Sequence, residues 1–192
     1  HYDALRTTII PALMKQREVS RRLTFWSAAA STGQESYSLA IMLLEMGVLN
    51  LGWSVQILAT DLSTQVIERA REGRFLQIEV NRGLPANYLV KYFTKQGLEW
   101  QLKDQVRSMV RFEPFDLRQP PGPLGTFDVV FCRNVLIYFD VPTKKKILAG
   151  IRSVLRDDGC LFLGGAEAIL DLDGNFNRQT IGQATVYKKV VR

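Results

Sequence analysis

Apolar and polar positions change their spacing several times along this chain, and each change marks a boundary. From Tyr2 to Lys15 the apolar residues fall at 2, 5, 9, 10 and 13, a helical stripe interrupted by Pro11, and the polar stretch Gln16 to Arg22 follows. This predicts a leading helix that covers a sheet. Phe25, Trp26 and Ala28 to Ala30 then form a short apolar run that gives way to Ser31-Thr32-Gly33, after which Gln34-Glu35 open a segment with apolar residues at 37, 39, 40, 43 and 44. The period lengthens from that of a strand to that of a helix. The reading is strand, tight turn and helix, with Ser31 or Thr32 placed to cap the first free amides.

Trp53 to Thr60 is a second strand, ending at Asp61, and Ser63-Thr64 cap a helix over Gln65 to Arg71 that Gly73 closes. From Phe75 to Leu102 the pattern loosens. Pro85-Ala86-Asn87 start a short helix through Tyr92-Phe93, and Gly97 marks the turn of a small hairpin at about 97–106. Val106 to Phe115 holds strand three, which ends at Asp116-Leu117. Phe127 to Cys132 is a continuous apolar run and reads as a central strand buried on both faces. Pro142 starts a helix striped by Val141, Ile147, Leu148, Ile151 and Leu155, and Asp157-Asp158-Gly159 stop it. Cys160 to Gly164 is strand five, Gly164-Gly165 free the chain for Glu167, and Phe176 to Val190 hold two more short strands. Seven strands alternating with helices, the last two without one between them, predict a single α/β domain.

Open α/β sheets bind their ligands outside the carboxyl ends of the strands, so the strand tips are where chemistry is expected. The first turn has neither the GxGxxG of a dinucleotide site nor the GxxxxGK[ST] of a P-loop. It carries an acid, Glu35, where a phosphate would want none. Either Glu35 receives a cationic ligand, such as the ammonium or sulfonium of S-adenosylmethionine, or it only complements the helix dipole. Asp61 is placed to accept both hydroxyls of an adenosine ribose, with capping of the next helix as the plain alternative. Asp116 is placed to reach an adenine amino group and Leu117 to pack on the ring, while Arg133-Asn134 and Tyr138-Phe139 arrive at the same rim.

Composition narrows the picture. With 192 residues and 46% hydrophobic side chains the chain can bury a core without disulfides, and no run approaches the roughly 20 apolar residues of a membrane span. Two cysteines, Cys132 and Cys160, and one histidine, His1, make no metal set of usual spacing, and the cysteines read as buried thiols in a reducing cytoplasm. A net charge of +6 favours an acidic partner. A nucleic-acid methyltransferase is the rival that this charge suggests, yet CRNVLIYF is not the [DN]PP[FY] string that base amino methylation calls for. A cofactor-binding regulatory module without turnover is the rival of another class.

The strings WSAAASTGQESYSLA, LATDLSTQVIERAREG and FDVVFCRNVLIYF resemble the catalytic domain of the bacterial chemotaxis receptor methyltransferases, the CheR family. The likeness runs from about Tyr2 to Tyr187. It implies a class I S-adenosylmethionine-dependent methyltransferase fold, Rossmann-like, with strand order 3-2-1-4-5-7-6 and a small inserted β-subdomain at about 97–106. It also implies methylation of glutamate side chains on the cytoplasmic domain of methyl-accepting chemoreceptors by a cytoplasmic monomer, without nucleic acid, metal or membrane insertion, leaving S-adenosylhomocysteine. By matching motifs, the cofactor contacts fall on Glu35, Asp61, Asp116, Leu117, Arg133 and Asn134, with Tyr138 and Arg133 at the methyl-transfer site. The turn reads TGQES where the family usually has TGEEP, Asp116 replaces a common asparagine, and the insert lacks the glycine-rich loop of members that tether to a receptor's pentapeptide. The family's amino-terminal helical domain and the linker that supplies a cofactor arginine are expected to precede His1.

Overall fold

A computed structural model describes residues 1–169 and 172–192. The strands in chain order are β1 (Arg22–Ser27), β2 (Ser54–Asp61), β3 (Arg74–Leu76), β4 (Phe93–Gln96), β5 (Glu99–Leu102), β6 (Val110–Pro114), β7 (Phe127–Cys132), β8 (Leu155–Leu163), β9 (Phe176–Ile181) and β10 (Ala184–Lys189). Seven of them form one sheet in the order β6-β2-β1-β7-β8-β10-β9. Counted within that sheet alone, the order is the expected 3-2-1-4-5-7-6. The pairs β6/β2, β2/β1, β1/β7 and β7/β8 are parallel, while β10 runs antiparallel to both neighbours.

Successive side chains of the central strands point to opposite faces, and each face has its own core. Phe25, Ile57, Val129, Phe131 and Phe162 pack under the leading helix and the helices Gln34–Glu45 and Thr64–Glu72. Their neighbours Trp26, Leu58, Val130, Cys132 and Leu161 pack against the helix Val141–Val154. Two covered faces explain why these strands read as unbroken apolar runs.

The leading helix spans 2–16 and has a π-helical segment, Leu5–Ile9, just before Pro11. Proline crowds the carbonyl four residues back, and a widened turn relieves that clash. β1 begins at Arg22 and ends at Ser27, so Ala28 to Ala30 belong to the turn and not to the strand.

Two expectations need correction. The small subdomain is a three-stranded antiparallel sheet, β3-β5-β4, whose hairpin lies at 93–102, while Asp104–Arg107 is a short helix and not the end of a hairpin. The third strand, only three residues long, leaves no periodicity to read. Asp157-Asp158-Gly159 lie inside β8 and not ahead of it, with a bulge against β7. A Cβ on Gly159 would stand 2.5 Å from the Asp128 carbonyl, so the strand passes its neighbour too closely there for any side chain.

Candidate active site

The turn after β1 is built by backbone bonds to both neighbouring strand ends. Ala28 N–H donates to the Phe131 carbonyl at 2.8 Å and Ala30 N–H to the Thr60 carbonyl at 2.8 Å. Ser31 then adopts φ +51° and Gly33 φ +90°, a left-handed pair that reverses the chain into its helix. Neither Ser31 nor Thr32 caps that helix, contrary to the sequence reading. Gly33 is the N-cap and gives no side-chain bond, and the Thr32 hydroxyl turns to Gln34 instead.

Asp61 closes the turn from the side of β2. One carboxylate oxygen accepts the Ser31 amide at 3.0 Å and the other the Ser63 amide at 3.1 Å. Ser63, not Asp61, caps the following helix through the Val66 amide. A carboxylate has about four lone-pair positions, so Asp61 retains acceptor capacity on each oxygen.

Glu35 and Arg133 meet across the rim at 2.9 Å, with side chains 19% and 29% exposed, and Glu35 also accepts from the Ser27 hydroxyl at 3.2 Å. The pair faces a cleft of about 590 Å³ that Tyr2, Gln34 and Ser38 also line, with Leu84 on the insert side. Arg133 spends one of its five donors on Glu35, and a second cleft, of about 380 Å³, continues past it toward Glu167 and Arg178.

Asp116, at the tip of β6, is held differently. Arg118 engages both of its oxygens, through Nε at 2.9 Å and Nη2 at 2.8 Å, and the Arg118 amide adds a third donor. These bonds hold the Asp116 carboxyl below the usual carboxylate range. Leu117 packs against the core cluster that contains Trp26.

Asn134 follows β7 with φ +57°, and Tyr138 ends a short 3-10 turn, Leu136–Tyr138, with 78% of its surface exposed. Arg21, Ser31 and Asn134 are the non-glycine residues with positive φ among those described, and two of the three sit at this rim. Such strained backbone gathers where function holds it. Cys132, the last residue of β7, is fully buried, and that burial pushes its thiol far up from its ordinary value.

The fold thus brings Glu35 to Arg133, Asp61 to the first turn, and Asp116 to a neighbouring tip. It leaves Tyr138 pointing to solvent. Two residues that the sequence reading did not single out as site residues, Arg118 and Glu167, hold the rim together. Glu167 had a faint signal in the Gly164-Gly165 pair before it, and Arg118 had none.

The donor set suits S-adenosylmethionine. Asp61 and Asp116 stand at the tips of two adjacent strands and Glu35 in the first turn of the helix after β1, and that turn has no phosphate-binding glycine pattern. Among the described residues no cluster of His, Cys, Asp or Glu is arranged for a metal, and no helix is long and apolar enough to cross a membrane.

Comparison with known proteins agrees. Residues 1–185 match the model of the family described as "CheR methyltransferase, SAM binding domain". The chain is 38% identical to chemotaxis protein methyltransferase 1 of Pseudomonas aeruginosa, over 97% of this chain and 69% of that one. It is equally similar, with the same coverage, to the chemotaxis protein methyltransferase Cher2 of Pseudomonas putida. Among solved structures, a TehB-like SAM-dependent methyltransferase from Corynebacterium glutamicum superposes with a TM-score of 0.54 at 15% identity, covering 93% of this chain and 86% of that one. At that identity the likeness speaks to the fold alone. Family match, relatives and sheet order agree, and the chain belongs to the CheR methyltransferases, as an S-adenosylmethionine-dependent methyltransferase domain of the class I fold.

Proposed function

We propose that this domain methylates glutamate side chains on the cytoplasmic part of chemoreceptors, producing glutamate methyl esters, and that it works in the cytoplasm as a monomer. The observation that supports this most strongly is the row of acids along one rim, Asp61 and Asp116 at strand tips and Glu35 in the first helical turn after β1, beside an exposed phenol, Tyr138. The relatives carry the name of chemotaxis methyltransferases, and the proposal extends that role to this chain.

When bound, the cofactor supplies an electrophilic methyl group on a sulfonium. Glu35 and Arg133 hold its amino-acid end, a carboxylate for the ammonium and a guanidinium for the carboxylate. Asp61 accepts from the ribose. Asp116 accepts from the adenine, a role that requires the Arg118 side chain to yield one oxygen, and Leu117 covers the ring while Asn134 supplies a polar contact at the β7 exit.

The acceptor needs no general base, since an exposed glutamate with a pKa near 4.3 is already ionised at neutral pH. That agrees with a site that offers no Ser/His/Asp arrangement. The protein's task is orientation, which can supply roughly 7 to 11 kcal/mol when two reactants are well aligned. Tyr138 orients the incoming carboxylate from the lip, and the free donors of Arg133 draw it in.

The test is incubation with methyl-labelled S-adenosylmethionine and receptor fragments, followed by mild base. Release of the label as methanol is expected. Base-stable label in RNA would contradict the ester reading, and binding without transfer would favour a regulatory module.

A further inference from the structure

Glu167 lies outside every motif that carries the cofactor reading, on the segment that leaves β8. Its carboxylate accepts four backbone amides: Oε2 takes Asn134 at 2.9 Å and Gly164 at 2.8 Å, and Oε1 takes Val135 at 3.0 Å and Leu136 at 2.8 Å. Three of these donors are consecutive and begin at the left-handed Asn134, so their N–H groups form a concave anion nest. The nest is filled from within by the chain's own acid.

The fit is close on the other side as well. A Cβ on Gly164 would lie 2.2 Å from the Asn134 side-chain oxygen, so glycine there is what lets Asn134 tuck against the β8 exit. Glu167 also donates its own amide to the Gly164 carbonyl at 3.0 Å, which closes a small ring around the carboxylate. The last clamped amide, that of Leu136, is the first residue of the turn that ends at Tyr138.

We infer that Glu167 is a positioning residue for methyl transfer: by filling this nest it fixes the loop that carries Arg133 and Asn134 and the turn that presents Tyr138. The inference rests on the roles proposed above for those three residues. A charged carboxylate is required because it offers acceptors on both oxygens. Glutamine has one acceptor oxygen, and its amino group would face two backbone donors.

The experiment compares the parent chain with Glu167→Gln and Glu167→Asp. It reads amide hydrogen exchange across 134–136, calorimetric affinity for S-adenosylhomocysteine, and kcat and KM for transfer to a receptor fragment. In Glu167→Gln the three amides exchange faster and kcat falls about 10- to 100-fold, in the range expected for a small misplacement of the reacting groups. The affinity for S-adenosylhomocysteine falls by a smaller factor than kcat, because Glu35, Asp61 and Asp116 stay in place; KM moves little, and Glu167→Asp, which keeps both oxygens, recovers part of kcat.

Equal exchange at 134–136 in parent and Glu167→Gln overturns the clamp, whatever the acceptor proves to be. A kcat equal to that of the parent, or one that falls only in step with cofactor affinity, overturns the positioning role. If Glu167→Gln does not fold, Glu167→Asp is read by the same criteria. A parent chain that makes no methyl ester counts against the proposed function instead, and the exchange data still decide the clamp.

Discussion

Arg17 sits in a polar stretch where the sequence pattern marks nothing, yet its guanidinium reaches Asp128 on β7 and Asp158 on β8. Asp128 is 1% exposed and also accepts the amide and hydroxyl of Thr24. Arg17→Ala leaves this buried carboxylate with Arg156 at 3.5 Å as its remaining cation, so it is expected to lower stability by about 2 kcal/mol in urea denaturation. Hydrogen bonds from Arg17 also hold the Asp158 carboxyl below its usual range. A carboxylate with a depressed folded pKa lends stability above its unfolded pKa and loses it as pH falls through the folded one. The gap between parent and Arg17→Ala is therefore full near neutrality and narrows as pH drops below about 4; a gap that widened in acid would contradict the assignment. The placement of Glu35, Asp61 and Asn134 at the rim was legible because each lies at or just past a strand end or its turn. Glu167, Arg118 and the Arg17 network were not, because their meaning lies in partners that spacing does not reveal.

The turn between β1 and its helix is the element on which the rim depends. Gly33 stands at φ +90°, and a Cβ there would meet the Phe112 ring at 2.9 Å and Tyr37 at 3.2 Å. Gly33→Ala combines left-handed strain with overpacking and is expected to cost about 2 kcal/mol. It should also weaken cofactor binding, since Ser31 and Glu35 flank the turn. Thermal melts and a cofactor titration on the same variant check both, and a neutral result in both would show that the turn is not under this constraint. Strand, turn and helix here were readable from the change of period. The three-stranded insert was misplaced because β3 pairs with β5 across more than twenty residues, and the start of β8 was misplaced because Gly159 serves a close strand approach and not a helix stop.

At the scale of the whole molecule, periodicity predicted an α/β domain with strand tips at one rim, and the resemblance supplied the order of the sheet. Physical chemistry alone explains why that order matters. β6, β2, β1 and β7 are consecutive in the sheet, so residues at their carboxyl ends are neighbours in space although they are spread from Glu35 to Tyr138 in sequence. The net charge of +6 carried no information about the ligand, because the groups at the rim are mostly acids. Calorimetry with S-adenosylhomocysteine tests the central claim most directly. The chain is expected to bind at one site, and Asp61→Ala to weaken binding about 10- to 100-fold, the worth of a hydrogen bond to a charged group. Absence of binding by the parent, or an affinity that Asp61→Ala leaves unchanged, would contradict the account.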